Sequence, residues 1–388
     1  MRRCVIFLFV LLLLIAPVQA QQGQIGKIVM LAAGSPEDKA LAAVTDTTDP
    51  AKKLELLDKW LAEYGKGDLA ILAYELYVAH YAAEKNYDKA YEYGEKLLGL
   101  DPNAVDTAVT LFRLAAEKPD TPRMYSYGER VAAIIERYKA RPPDEGTNAD
   151  DWTRVKTERV ADLNSTIGYV HYAMFTAGYQ AQDPAQRAAL LERFATAYPK
   201  SPYATNAQVM VADAYQQARA PQKMVAFAQK ALAADPDNFW MMVVLADYWA
   251  TNQEHLDAAE EHAKKAVDLL GKAEKPEVMT DEDWQKQKSL QLGLAWSALG
   301  QIDVHKNRDA QAVEALKTAS PLLKSYDYYY GRNLFFLGWA LARMKRLAEA
   351  RPVLAEAASV NSPYKAKAQE TLGKIGGPAG KAPAKKRP

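Results

Sequence analysis

Hydrophobic residues after Ser35 recur at intervals of three and four, with polar positions between them. That spacing places the hydrophobic residues along one face of an α-helix. Alanine, leucine, glutamate, lysine and glutamine fill these stretches, and all five residue types favour helices. Runs of β-branched residues and the dipeptides typical of hairpin turns are nearly absent. The pattern therefore predicts an all-α protein.

A unit of two helices is clearest between Ile71 and Pro102. One face of its first helix carries large residues, namely Tyr74, Tyr77, Val78 and Tyr81. Asn86-Tyr87-Asp88-Lys89-Ala90 opens the second helix, which ends with Leu97-Leu98 before Asp101-Pro102. Proline ends a helix because it lacks an amide hydrogen and crowds the preceding turn.

Four further copies of this unit, each of about 34 residues, start at Thr205, near Phe239, at Gly293 and at Gly331. Their pattern of large and small residues, such as Leu299-Gly300 and Leu337-Gly338, resembles the tetratricopeptide repeat. Less regular helix pairs cover three other stretches, and the first helix of the last one approaches about 30 residues: Ser35–Tyr64, Val105–Arg137 and Trp152–Pro199. We expect about eight helix pairs and a C-terminal capping helix at Tyr364–Ile375.

Small residues recur where the two helices of a pair must approach closely. Ala90, Ala312 and Ala350 hold equivalent positions in three copies, and each should be buried at such a contact. A single pair cannot bury its hydrophobic face alone, so neighbouring pairs must stack. The resemblance implies a right-handed superhelical solenoid with a concave face built from the first helices.

The chain begins with a pattern typical of a secretory signal peptide. Arg2 and Arg3 precede the apolar run Val5–Ile15, and Ala20 completes a small-residue cleavage site before Gln21. The run is shorter than the roughly 20 residues that a membrane span needs. We therefore expect cleavage and no membrane span afterwards, although an uncleaved anchor remains the alternative.

These signals divide the chain into eight segments. A signal peptide and a flexible N-terminal segment are followed by three blocks of repeats, which two Pro- and Gly-containing linkers separate, and by a disordered basic tail. The predicted boundaries are 1–20, 21–34, 35–140, 141–151, 152–270, 271–280, 281–375 and 376–388. Either linker is a hinge or a longer ordered loop.

The amino-acid composition disfavours a nucleic-acid-binding protein and a disulfide-stabilised one. The 49 Lys and Arg residues balance 48 Asp and Glu residues, so the chain lacks the basic excess that favours binding to nucleic acid. The one cysteine, Cys4, lies within the leader, so the exported chain cannot rely on disulfides. We expect a protein of the bacterial periplasm or the extracellular space.

Catalytic and cofactor motifs are missing from the sequence. It contains no nucleophile elbow, phosphate loop, dinucleotide fingerprint or zinc-protease motif. Only His255 and His262 lie close together among the five histidines, and a separation of seven residues places them about 10 Å apart on a helix. We therefore expect no enzyme activity, no cofactor and no metal.

The resemblance implies that a peptide or protein partner binds the concave face, since certain positions of the first helices point into the groove. Those positions predict a mixed polar and aromatic site that consists of Asn206, Asp213, Trp240, Asp247, Gln301, His305, Arg332, Phe335, Trp339 and Arg343, with Val209 and Val243 beside them. Alternatively, Trp240 and Trp339 pack between repeats. The Lys and Asn pair with which some members of the family hold a C-terminal carboxylate is absent.

Two further interpretations concern the cell envelope. Aromatic residues of the groove also suit a glycan- or cell-wall-binding accessory protein, which is our alternative function. The tail carries Lys381, Lys385, Lys386 and Arg387, which either keep the protein soluble or make a weak contact with an anionic envelope surface.

Overall fold

The computed structural model describes residues 24–143, 147–276 and 279–376. Every regular element in those ranges is a helix, which confirms the all-α class. The helices are α1 (Pro36–Asp46), α2 (Pro50–Tyr64), α3 (Ala70–Ala83), α4 (Tyr87–Leu100), α5 (Val105–Glu117), α6 (Thr121–Ala140), α7 (Ala149–Asp162), α8 (Asn164–Gln180), α9 (Pro184–Ala197), α10 (Ala204–Gln217), α11 (Pro221–Ala234), α12 (Phe239–Asn252), α13 (Leu256–Lys272), α14 (Asp281–His305), α15 (Asp309–Leu323), α16 (Asp327–Arg343), α17 (Leu347–Ser359) and α18 (Lys365–Lys374), with a short 3₁₀ turn at Gly67–Leu69.

Sixteen of these helices form eight consecutive pairs joined by short turns. Seven of the pairs are in direct contact, namely α1/α2, α3/α4, α5/α6, α8/α9, α12/α13, α14/α15 and α16/α17, and α10/α11 is the eighth by its order in the chain and its short turn. Helix α18 packs against α16 and α17 and closes the series. The predicted number of pairs and the predicted capping helix are therefore confirmed.

Small residues lie where the helices of a pair meet. Ala90, Ala312 and Ala350 are each fully buried, as the repeat pattern predicts. A Cβ atom added to Gly338 would lie 2.5 Å from Cγ of Leu354 on the partner helix. Only glycine fits there, because real Cβ atoms do not come that close to a neighbouring carbon.

The ends of the helices follow from local sequence. The hydroxyl of Thr280 accepts a hydrogen bond of 3.1 Å from the backbone N–H of Asp283 and so caps the N-terminus of α14. Five pairs turn through a residue in the left-handed region, which satisfies carbonyl groups at the end of the first helix. These residues are Lys85, Arg219, Gln253, Asn307 and Lys345, with φ between 53° and 60°.

The long helix that we predicted at the start of Trp152–Pro199 is two helices. It breaks at Leu163, whose N–H bonds the carbonyl of Val160 in a tightened turn. Asp162 and Asn164 flank the break, and such short polar side chains compete for backbone hydrogen bonds and weaken a helix. The buried side chain of Leu163 holds this turn in place.

The described part of the N-terminal segment, residues 24–34, packs against helices, although we predicted a flexible segment there. Ile25 is buried, and the backbone N–H of Lys27 donates a 2.7 Å hydrogen bond to the carboxylate of Asp101. The ammonium of Lys27 pairs with Asp68 at 2.7 Å. Sequence composition gave no sign of these contacts, because they come from side chains far along the chain.

The described residues form two compact units, which divide between Ala207 and Gln208. In the first unit, one core cluster gathers Val44, Leu57, Trp60, Ala73 and Tyr77. In the second unit, buried residues of α12 to α17 form successive clusters around residues such as Leu270, Leu323 and Leu354.

The predicted signal peptide, residues 1–20, lies outside the described residues, as do the four basic residues of the tail and parts of both linkers.

Candidate functional site

A cavity of about 610 Å³ lies in the second unit. Its walls come from the first helices of four consecutive pairs, α10, α12, α14 and α16, together with the start of α11. The lining residues are Val209, Ala212, Asp213, Gln216, Arg219, Pro221, Met224, Val243, Val244, Asp247, Tyr248, Thr251, Asn252, Leu290, Gln291, Leu294, Tyr328, Tyr329 and Arg332. This size is typical of pockets that hold small ligands or side chains.

A buried ion pair forms one wall of the cavity. The guanidinium of Arg332, only 1% exposed, bonds both carboxylate oxygens of Asp247 through its two terminal nitrogens. One of those nitrogens also donates a 2.8 Å hydrogen bond to the hydroxyl of Thr251. The rings of Tyr328 and Tyr329 lie 5.7 and 5.4 Å from the guanidinium carbon. The pair joins α12 to α16 and fixes the geometry of the wall.

The charge of Arg332 persists despite its burial. Desolvation acts to lower the pKa of this guanidinium, but the carboxylate of Asp247 outweighs desolvation and raises the pKa above its ordinary value. Burial, together with the nearby Asp247 carboxylate, raises the pKa of Tyr329 to about 12. Its hydroxyl therefore stays neutral at physiological pH.

Neutral polar groups complete the lining. The carbonyl oxygen of the Gln291 side chain is buried and has no hydrogen-bond partner, and the same is true of Nε of Arg332. Buried polar atoms without partners are rare in folded proteins, so we expect a ligand or a water molecule to supply the missing hydrogen bond of each one. Asn252, another lining residue, donates a 2.8 Å hydrogen bond to the carbonyl of Tyr248 one turn earlier on α12.

The structure brings together three of the predicted groove residues at this cavity, Asp213, Asp247 and Arg332. Asn206 lies half-buried on α10 and is not among the lining residues. Trp240 is buried, with its ring 6.3 Å from that of Trp284, so it packs between helices. Gln301 is fully buried and its amide donates a 3.2 Å hydrogen bond to the carbonyl of Ser297.

The other predicted groove residues form a separate group on α14 and α16. The rings of Phe335 and Trp339 stack at 6.1 Å, and the guanidinium of Arg343 lies 5.7 Å from the ring of Trp339. Arg343 also donates a 3.1 Å hydrogen bond to the carbonyl of Val304. Burial lowers the pKa of His305, whose ring packs 5.8 Å from Phe336. None of these four predicted residues lines the cavity.

Sequence reasoning missed several lining residues, including Gln291 and Tyr248. Gln291 precedes the repeat that starts at Gly293, and Tyr248 occupies a repeat position that the family pattern does not direct into the groove. The available signal was the group of tyrosines at positions 326, 328, 329 and 330. Tyr328 and Tyr329 line the cavity, whereas the hydroxyl of Tyr330 donates a 2.6 Å hydrogen bond to Glu356.

Exposed aromatic residues form a stripe along helix α8 in the first unit. Tyr172 and Tyr179 are 56% and 58% exposed, and the ring of Phe175 stacks on that of Tyr179 at 6.3 Å. Phe175 also stacks on Tyr203 at 5.1 Å. Seven residues of helix separate Tyr172 from Tyr179, so the two rings are offset by about 10 Å along the axis.

Neither a membrane-spanning helix nor a metal-binding group is found in the described ranges. No helix there is long and apolar enough to cross a membrane. No three His, Cys, Asp or Glu side chains of those ranges are grouped so that they would bind a metal ion.

Comparisons with known proteins add little. No family model matches the sequence, and no curated protein matches it. Among solved structures, the chain is similar to the P58(IPK) tetratricopeptide-repeat domain, with 12% identity over 88% of this chain and 98% of that one and a TM-score of 0.26. It is also similar to a chain of the APC/C hetero-tetramer Cut9-Hcn1, with 11% identity over 88% and 90% and a TM-score of 0.28. At such scores these neighbours say nothing about the site.

Proposed function

We propose that this protein is an exported, non-catalytic scaffold that binds a segment of a partner protein in the cavity of its second unit. The observation that carries the proposal is the construction of the cavity. Four successive first helices converge on it, and a buried ion pair fixes one wall. Hydrophobic side chains such as Met224 and Leu294 lie beside polar ones. A pocket of this kind gives a protein segment an apolar anchor and fixes its register.

A binding role fits the lining chemistry better than catalysis does. Both carboxylate oxygens of Asp247 are bonded to Arg332, so this carboxylate is poorly placed to act as a general base. No serine, cysteine, histidine or lysine is among the residues that line the cavity. The remaining polar groups are hydroxyls, amides and exposed charges, which suit binding and orienting a ligand.

Export rests on the leader alone. The basic start, the short apolar run and Ala20 before Gln21 support secretion to the periplasm or beyond. Contact of Lys381, Lys385, Lys386 and Arg387 with an anionic envelope surface belongs to the same proposal. Mass spectrometry of the protein from its native cell should find Gln21 at the N-terminus, and an intact Met1 would contradict export by cleavage.

Photo-cross-linking tests the binding site directly. A benzoylphenylalanine placed at Tyr248, which lines the cavity, should form adducts with a discrete partner protein in living cells. The matched position is Tyr87 on α4, which is half-exposed and lies in the other unit. In a Val244→Trp background, which fills the cavity, the adduct from position 248 should disappear. Adducts that are the same from both positions, or that survive the filling variant, would refute the proposal.

A second candidate function is favoured by the aromatic stripe on α8. Exposed aromatic rings provide stacking faces, and the offset of about 10 Å between Tyr172 and Tyr179 is close to the length of two linked sugar rings. We propose this stripe as the surface for a glycan strand if the protein binds the cell wall. Tyr172→Ala with Tyr179→Ala should abolish sedimentation with peptidoglycan, while Tyr328→Ala in the second unit should not. Sedimentation that the double variant retains would remove this candidate.

A further inference from the structure

We infer that the group which enters the cavity of the second unit is an uncharged side chain with both a hydrogen-bond donor and an acceptor. A primary amide or a hydroxyl meets that description, as in Gln, Asn, Ser, Thr or Tyr of the partner. This inference rests on the proposed function, because it names the chemistry that the same cavity selects.

The first argument is charge balance. Arg332 and Asp247 are both charged but pair with each other within the wall, so together they offer a ligand no net charge. The remaining charged residues of the lining, Asp213 and Arg219, are exposed and of opposite sign. Moving a charged group from water into such a surrounding is unfavourable, because no buried opposite charge receives it.

The second argument concerns the terminal nitrogens of Arg332. A guanidinium is a strong carboxylate receptor when both of its terminal nitrogens face the ligand. Here Asp247 occupies both of them, and Thr251 takes a further hydrogen bond. A carboxylate ligand would have to displace Asp247 from the guanidinium and so break the ion pair of the wall. The cavity therefore disfavours an acidic side chain or a chain terminus.

The third argument concerns the polar atoms without partners. The side-chain oxygen of Gln291 needs a donor, whereas the Nε–H of Arg332 needs an acceptor. Gln291 lines the cavity, so rotation of its amide would turn the oxygen towards a ligand. An ammonium supplies donors only and a carboxylate supplies acceptors only. Amides and hydroxyls supply both.

The neighbouring lining groups match the same class of ligand. Tyr248, Tyr328, Tyr329 and Thr251 carry hydroxyls, while Asn252 and Gln216 carry amides. Each of these groups both donates and accepts, so it pairs with an amide or hydroxyl in either orientation. The apolar wall at Val243 and Leu294 then covers the methylene groups of the entering side chain.

Blocked amino acids test this inference without knowledge of the partner. The probes are N-acetyl-glutamine amide, N-acetyl-glutamate amide and N-acetyl-lysine amide, with N-acetylglucosamine as a neutral sugar. Binding to the full chain is followed by the NMR shift of the Met224 methyl group, which lies in the cavity wall. We expect millimolar binding of the glutamine probe and at least about tenfold weaker binding of both charged probes, because the charge is desolvated without compensation.

Two matched variants localise the effect on α14. Gln291→Leu should weaken binding of the glutamine probe about fivefold to tenfold, because a buried hydrogen bond is lost. Gln285→Leu changes an exposed glutamine of the same helix and should leave binding unchanged.

Several outcomes would overturn the inference. They are equal or tighter binding of a charged probe, binding of the sugar alone, no binding of any probe, or no effect of Gln291→Leu. The cross-link from position 248 separates this failure from failure of the proposed function. If that adduct forms while the probe ranking is reversed, the scaffold proposal stands and the chemical class is wrong.

Discussion

Breaking the ion pair between Arg332 and Asp247 should strongly destabilise the second unit. Asp247→Asn keeps the shape and one acceptor but removes the negative charge, which leaves the guanidinium buried without an opposite charge. Two unit charges about 4 Å apart attract by about 4 kcal/mol at an effective dielectric constant of 20. Loss of one partner of a buried pair typically costs about 3–5 kcal/mol. With Arg332 1% and Asp247 19% exposed, we expect about 3 kcal/mol.

Arg332→Met should cost less. The carboxylate that it leaves behind is partly exposed, so water can solvate it. The double variant Asp247→Leu with Arg332→Met should come within about 1 kcal/mol of wild type, because hydrophobic replacements of buried pairs are often neutral or stabilising. The loss of unfolding free energy should therefore be largest for Asp247→Asn, smaller for Arg332→Met and smallest for the double variant.

Hydrogen exchange measured by mass spectrometry suits this test, because a chain of two units need not unfold in one transition. A loss of 3 kcal/mol should speed exchange in α12 and α16 about a hundredfold, since 1.4 kcal/mol is a factor of ten. Helices α3 and α4 of the first unit are the internal control. Unchanged protection in α12 and α16 of Asp247→Asn, or a double variant as damaged as the single one, would refute this reasoning.

Three further predictions concern packing and pH. Gly338→Ala should destabilise by about 1–3 kcal/mol in urea unfolding because its Cβ has no room, whereas Gly168→Ala, with open space around it, should stabilise by about 0.5–1 kcal/mol; the reverse order would contradict the packing account. Burial acts to raise the pKa of Glu260, but hydrogen bonds from Arg308, Lys264 and Lys306 lower it to about 2, so its stabilising effect is present above about pH 4.5 and is lost as the pH falls towards 2. In the variant Glu260→Gln, the unfolding free energy should change less with pH below about pH 4.5. The same pH dependence in the variant and in wild type would contradict this assignment. Burial lowers the pKa of His171 to about 4, so stability should fall between pH 6.5 and 4 as only the unfolded chain takes up the proton, and His171→Phe should remove this loss in thermal melts at several pH values; a loss that persists in the variant would contradict the assignment.

The fold was largely predictable because it depends mainly on the spacing of small and large residues within each repeat, which can be read from a short stretch of sequence. Ala90, Ala312 and Ala350 mark the positions where two helix backbones meet, and the structure buries all three. The break at Leu163 was not predictable from periodicity, because apolar spacing continues through it. The packed N-terminal segment was also missed, since its hydrogen bond to Asp101 depends on a residue 74 positions away.

The candidate site was predictable only in part. The repeat pattern predicted Asp247 and Arg332 as groove residues, and both line the cavity, on the first helices α12 and α16. It gave no hint that they pair with each other, because the pattern treats each repeat separately. Trp240 was predicted to face the groove but packs between helices, because the repeat pattern does not show how far a helix extends beyond its repeat. Helix α14 begins twelve residues before its repeat at Gly293, and Trp284 in that extension packs against Trp240.

The most direct test of the central claim is the affinity of the partner identified by cross-linking for two forms of the full chain. Isothermal titration should give a dissociation constant at least about tenfold higher for Val244→Trp than for wild type, because the filled cavity no longer admits the anchoring side chain. Val155→Trp, at a half-exposed position on α7, should bind as wild type does. Equal affinity of Val244→Trp and wild type would show that the partner binds elsewhere and that the cavity is not the functional site.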